Sequence, residues 1–156
     1  MDSITHIVFG AAVGEIFAGR QLGKRAMLLG ALMQSVPDID FVASFWLDPV
    51  SDLVAHRGIT HSLVFVAIVS PLLAFLAGLI HRKNNISFIK WNVFFLTEML
   101  IHLFLDAFNA YGTGWFEPFS HDWISFNAIF VADPLFSIIP GVAFIALLIL
   151  RRDHRT

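Results

Sequence analysis

The sequence predicts an all-α, polytopic membrane helix bundle of about five helices, three of them clear spans preceded by a shorter N-terminal pair. Three observations lead there. The 156 residues are 57% hydrophobic and only 14% charged, whereas a soluble domain is about half apolar and about a quarter charged. One run, SLVFVAIVSPLLAFLAGLI over residues 62–80, carries no charge and has the length needed to cross hydrocarbon. The basic residues, finally, partition almost entirely to one side of an alternating five-helix topology.

The elements follow in order. Residues 4–19 form the first apolar piece and 26–36 the second, which is too short for a comfortable crossing. A re-entrant hairpin is the other option, but it would place Arg20, Lys24 and Arg25 at membrane depth, which is costly. The third helix is 62–80, where Pro71 is expected to kink a helix that a neighbour supports. Residues 87–108 are polar only along a titratable stripe, and 134–150 ends in the stop RRDHR. The N-terminus MDSITHIVFG lacks a basic region and a small-residue cleavage site, so it reads as mature fold rather than as a signal peptide. No repeat, low-complexity tract or linker interrupts residues 1–156, which read as a single domain.

With the N-terminus outside, Arg20, Lys24, Arg25, Arg82, Lys83, Lys90, Arg151, Arg152 and Arg155 share one side, and of the ten basic residues only Arg57 lies opposite. The positive-inside rule makes the basic side, with the C-terminus, cytoplasmic in a cell inner membrane. The segments 37–60 and 109–133 then face outward and hold Trp46, Trp115 and Trp123, suited to an interfacial belt. A net charge of −2 argues against a nucleic-acid partner. The absence of cysteine excludes disulfides, thiolate metal sites and cysteine nucleophiles.

The same topology gathers histidines and aspartates at the outer surface. His6 lies in the first turn of helix one; Asp38 and Asp40, in VPDID, follow helix two; His56 and His61, in HRGITHS, lead into helix three. His102 and Asp106 share one face near the end of helix four, at a chelating i, i+4 spacing. Asp133 precedes helix five. Plainer roles exist for several of these. Ser3 as a cap would leave His6 facing headgroups, Asp40 suits a turn after Pro37, and Asp133-Pro134 is a good helix start. Ionisable residues inside a span are the hardest to dismiss.

A divalent cation offsets the desolvation of carboxylates and keeps imidazoles neutral. Six or more N/O ligands exceed what one zinc needs, which favours two ions about 3.5–4 Å apart. Sulfur-free ligands suit zinc, favoured here, or manganese or iron. Glu98 and Glu15 lie deeper, either orienting a ligand imidazole or protonated and hydrogen-bonded in the bundle.

DSITH, PDID, HRGITHS, HLFLDAFNAYGTGWFEPFS and ADPLFSIIP resemble, in order and spacing, the prokaryotic membrane-bound metal-dependent hydrolase family, whose founding type is an inner-membrane protein regulated by the SOS repressor. The likeness covers nearly the whole chain, and HRGxTHS is its most specific block. It implies an embedded divalent-metal hydrolase with His6, Asp38, Asp40, His56, His61, His102, Asp106 and Asp133 at its metal site. Glu98 lies outside that pattern. The order of an N-terminal His, an Asp, a His and then His-x-x-x-Asp is also similar to the ligand order of zinc-dependent phospholipase C.

These readings combine into an expected phosphoesterase acting on a lipid or lipid-linked substrate at the outer membrane–water interface. Asp38 or Asp40 would serve as general base, and Arg57 would hold a phosphate or anchor to headgroups. The rivals are a divalent-metal or proton transporter, a metal-independent lipid phosphatase, and a non-catalytic metal-binding protein. A lipid phosphatase would need a basic cluster that Arg57 alone does not make.

Overall fold

The computed structural model describes residues 3–47, 57–130 and 134–149. Five α-helices fall within them: α1 (Ser3–Leu22), α2 (Arg25–Gln34), α3 (Leu63–Ile80), α4 (Phe88–Ala107) and α5 (Pro134–Ile149). Short 3-10 segments cover Pro37–Phe45, Ile59–His61 and Arg82–Asn84. The described residues contain no strand, only the isolated bridges Asn109–Ile129 and Thr113–Ile124.

The local sequence explains where helices start and stop. Gly23 and Asn85 adopt left-handed backbone angles (φ 61° and 51°) and reverse the chain after α1 and before α4. Ser62 Oγ accepts the Phe65 N–H at 3.1 Å and Ser87 Oγ accepts the Lys90 N–H at 3.2 Å, so serine caps open both α3 and α4.

Packing falls into two main contacts, α1 with α2 and α3 with α4, and α4 also touches α1 and α2. The α1–α2 hairpin closes on Gly10, Gly14 and Gly30: a Cβ on Gly30 would overlap the Gly10 carbonyl oxygen, and one on Gly10 would overlap that of Gly30. Such backbone contact is the packing that small residues permit where burial in lipid supplies no hydrophobic drive. The α3–α4 contact is made of large side chains. Val66, Ala74 and Ala77 pack with Trp91, Phe94, Phe95, Met99 and Leu103, and Trp91 stacks on Phe95 at 5.5 Å between ring centres.

Among the described residues two helices, α3 and α4, are long and apolar enough to cross a membrane. Helix α3 is apolar on every side, with Ile68, Leu72, Phe75 and Ile80 all exposed, which in a membrane is hydrocarbon contact. Helix α5, expected as a third full span, is helical over 16 residues, short of the ~20 that span hydrocarbon upright. The ten residues of α2 rise ~15 Å, about half the hydrocarbon thickness.

The alternating helices put the start of α1, the end of α2, the start of α3 and the end of α4 at one end of the bundle. Arg20, Lys24, Arg25, Arg82, Lys83 and Lys90 sit at the turns of the other end.

Candidate metal centre

Four segments meet at the first of these ends. Helix α4 presents His102 and Asp106 one turn apart, both buried. The 3-10 turn Ile59–His61, immediately before α3, turns His61 inward to full burial. Pro37 opens the 3-10 segment that follows α2 and carries Asp38 and Asp40. Helix α1 contributes His6, 1% exposed.

Asp38, His61, His102 and Asp106 each offer one ligand atom, and the four atoms all lie within 4.8 Å of one another. His61 Nε2 and His102 Nε2 are 3.2 Å apart. Asp38 Oδ1 is 3.4 Å from each of them, and Asp106 Oδ2 is 3.4 Å from His61 Nε2 and 3.5 Å from His102 Nε2. A tetrahedral zinc with bonds of about 2.0–2.2 Å requires ligand atoms about 3.3–3.6 Å apart. Five of the six edges, at 3.2–3.5 Å, lie at or close to that figure, and the sixth, Asp38 to Asp106, is within 4.8 Å.

Proton accounting strengthens the match. His102 Nδ1 lies 2.6 Å from the Gln34 carbonyl oxygen, which only accepts, so the proton is on Nδ1. In the neutral ring this leaves a lone pair on Nε2. His61 Nδ1 faces Asp40 Oδ2 at 3.4 Å and Thr60 Oγ1 at 3.2 Å. Thr60 Oγ1 gives its own hydrogen to Asp40 Oδ2 at 2.7 Å, so His61 too carries its proton on Nδ1 and a lone pair on Nε2. Two imidazole lone pairs and two carboxylates therefore converge, an arrangement that suits a cation. The residues present fit a divalent ion.

The other expected site residues surround this group. His6 stacks on His102 with ring centres 3.9 Å apart, and its Nε2 lies 3.2 Å from Asp106 Oδ1. Asp40 stands behind His61 and also accepts the Arg57 backbone N–H at 3.0 Å. Arg57, with φ 71°, is only 8% exposed and turns inward rather than toward headgroups. Its Nη1 donates to Asn109 Oδ1 at 3.0 Å, and its guanidinium lies 5.6 Å from the Tyr111 ring centre. Burial lowers the Arg57 pKa from its ordinary value, against the opposing charges of Asp38 and Asp40. His56 and Asp133 lie outside the described residues.

His121 is exposed and pairs with Glu117 Oε1 at 2.7 Å, apart from the cluster; this hydrogen bond and the Glu117 charge raise its pKa above the ordinary imidazole value.

Two residues passed over in the sequence support the site. Gln34 receives the His102 Nδ1–H through its main-chain carbonyl, a contact with no side-chain signature. Asn109 Oδ1 accepts from Arg57 and from the backbone N–H groups of Tyr111 and Gly112 at 2.9 and 3.2 Å. Its position three residues after Asp106 was the available signal.

Fold and site together define a helical membrane protein with a buried His/Asp group able to hold a metal ion at one end of its bundle. The family model described as YdjM inner membrane protein matches residues 1–155, and the chain belongs to that family. It is 30% identical over 121 residues to the inner membrane protein YbcI of Escherichia coli (strain K12), covering 76% of this chain and 68% of that one. It is also 30% identical over 170 residues to the uncharacterized protein YfhP of Bacillus subtilis (strain 168), covering 96% of this chain and 51% of that one. The chain thus spans about half the length of YfhP. No solved structure matches. The names of the family and of YbcI carry the membrane location and no activity.

Proposed function

We propose that the protein is a membrane-embedded, divalent-metal-dependent hydrolase that cleaves a phosphoester of a lipid or lipid-linked substrate at the extracytoplasmic face of the inner membrane. The observation that carries this reading is the tetrahedral spacing of two imidazole lone pairs and two carboxylates in one buried group. Four residues suffice for one ion, with zinc favoured and manganese or iron compatible. A second ion would draw further on His56 or Asp133, which lie outside the described residues.

When bound, such an ion supplies Lewis acidity and a nucleophile active near neutral pH. The protein's own groups supply the rest. His61, His102 and Asp106 are buried and held from behind, whereas the Asp38 side chain is 28% exposed. Asp38 is thus the group that gives way to water or substrate, and its carboxylate is better placed than that of Asp40 to take up a proton. The remaining N–H groups of Arg57 serve a phosphoryl oxygen.

Two features support a lipid substrate and the outer side. The segment bearing Asp38 and Asp40 exposes Ile39, Phe41, Phe45 and Trp46, an aromatic rim of the kind that sits at headgroup level. The basic turns at the opposite end favour the cytoplasm, and a multi-pass chain follows if α1, α2 and α5 also cross.

The test is elemental analysis of detergent-purified protein together with hydrolysis assays on phospholipids and lipid pyrophosphates. The expected result is bound divalent metal in the wild type, lost in His102→Ala, and a chelator-sensitive activity that added metal restores. Unchanged metal content in His102→Ala would overturn the reading. Metal flux into proteoliposomes without hydrolysis would replace it with transport.

A further inference from the structure

Below the metal-binding group lies a set of polar atoms that the proposed chemistry does not use. Glu98 is one turn before His102 on α4 and fully buried, and Gln34, at the end of α2, is fully buried too. Both Glu98 carboxyl oxygens, both Gln34 amide atoms and His6 Nδ1 are sealed from solvent without a hydrogen-bond partner as they stand. The Gln34 side chain lies between the His6 imidazole and the Glu98 carboxyl, near enough to bond either after a side-chain rotation. Space for this set is reserved. A Cβ on Gly30 would come within 2.8 Å of Glu98 Oε1, and one on Gly10 within 2.5 Å of Gln34 Cγ.

The direction of each bond follows from the top of the column. Asp106 Oδ1 is a carboxylate oxygen and only accepts, so His6 carries its proton on Nε2. His6 Nδ1 is then an acceptor, and the Gln34 amide NH2 beside it is able to donate. That orientation turns Gln34 Oε1 toward Glu98, where it needs a donor. Among the described residues no ion pair involves Glu98, and an isolated carboxylate so deep in the bundle is prohibitively costly. As the neutral acid Glu98 donates its O–H to Gln34 Oε1, and side-chain rotations then pair four of the five atoms, all but the second Glu98 oxygen.

We infer that Glu98, Gln34 and His6 form a directional hydrogen-bond column, Glu98 O–H to Gln34, Gln34 N–H to His6 and His6 N–H to Asp106, that positions Asp106 at the metal site. Gln34 serves both histidines: its main chain fixes the His102 proton on Nδ1, and its side chain fixes the His6 proton on Nε2. His6 acts through Asp106, as partners behind metal ligands do, and Glu98 and Gln34 are positioning residues. The inference rests on the metal-site reading for its consequence, but not for its geometry.

The experiment joins metal titration with 15N NMR of histidine-labelled protein in detergent. In the wild type, His6 is the Nε2–H tautomer with or without metal. Glu98→Gln keeps a donor for Gln34 Oε1 and leaves the tautomer and the metal affinity as in the wild type. Glu98→Leu and Gln34→Leu release the His6 tautomer and weaken metal binding by about 10–100-fold, while saturating metal restores the wild-type number of ions per chain.

An Nδ1–H tautomer of His6 in the wild type overturns the column without any variant. So does wild-type affinity in both leucine variants when His102→Ala binds no metal, an outcome that leaves the metal site standing. A drop in ions per chain in Glu98→Gln overturns it as well, because Glu98 then holds a cation of its own. If the wild type binds no metal yet Glu98→Leu releases the His6 tautomer, the column stands and the metal reading falls.

Discussion

The buried stripe of α4 changes character halfway along. Its first half, Trp91, Phe94 and Phe95, stacks and tilts ring against ring and packs on Val66, Ala74 and Ala77 of α3, and Trp91 also lies 5.5 Å from the His81 ring. Its second half carries Glu98, His102 and Asp106 at successive turns, all buried, facing α1, α2 and the 3-10 segments. One helix thus buries aromatic bulk at one end and ionisable groups at the other. Dispersion among large rings holds the first region. The second buries groups that lipid disfavours, and it holds together only when lone pairs and charges find protons or a cation. The two regions are therefore expected to respond to opposite perturbations.

The largest contrast comes from removing a ligand. His102→Ala or Asp106→Ala is expected to abolish metal binding and reduce hydrolysis to background, as measured by elemental analysis and chelator-controlled assays. Asp106→Asn adds a sign test. With metal stripped, the wild type leaves two lone pairs and two carboxylates facing one another, so the variant's metal-free form is expected to be more stable than the wild type's by about 0.5–2 kcal/mol. Thermal unfolding in chelator checks this. A lower melting temperature for the metal-free variant would mean that the cluster is not electrostatically strained.

Next in size is the aromatic half. Trp91 is 1% exposed and packed against Phe94, Phe95 and His81. Trp91→Ala is expected to cost about 3–5 kcal/mol of stability while leaving metal per folded chain unchanged. Loss of metal in the folded fraction would show that the two halves are coupled through α4, and would remove the basis of the contrast.

Most of the helical layout was legible because apolar runs and basic turns are long-range, redundant signals. The expected helix at 62–80 is Leu63–Ile80, that at 87–108 is Phe88–Ala107, and even the short second piece, 26–36, is helical at Arg25–Gln34. The meeting of His6, Asp38, Asp40, His61, His102 and Asp106 was legible for the same reason: alternating helices put their segments at one end. What composition and spacing do not encode is which side of a residue faces which neighbour. Arg57 reads as an outward cation, yet a positive φ and the Asn109 amide fold it inside. Asp40 reads as an equal of Asp38, yet it stands behind His61, bonded to Thr60 and the Arg57 backbone. Gln34 acts on His102 through a main-chain oxygen, which every residue type possesses.

The smallest effects separate the regions by their glycines. Gly30 lies where α1 and α2 touch backbone to backbone, so Gly30→Ala must push the helices apart, and it crowds the Glu98 carboxyl as well. The expected cost is about 1–3 kcal/mol, with weaker metal binding because Gln34 and His102 move with α2. Gly78 lies in α3, and a Cβ there meets nothing within 4 Å. Gly78→Ala should therefore gain up to about 1 kcal/mol, the helix-propensity difference between the two residues, and leave metal content alone. Thermal unfolding of both variants beside a metal titration reads the pair in one experiment. Equal and harmless outcomes would mean that the α1–α2 backbone contact is not needed to seat Gln34, and that the polar half of α4 is held by its side chains alone.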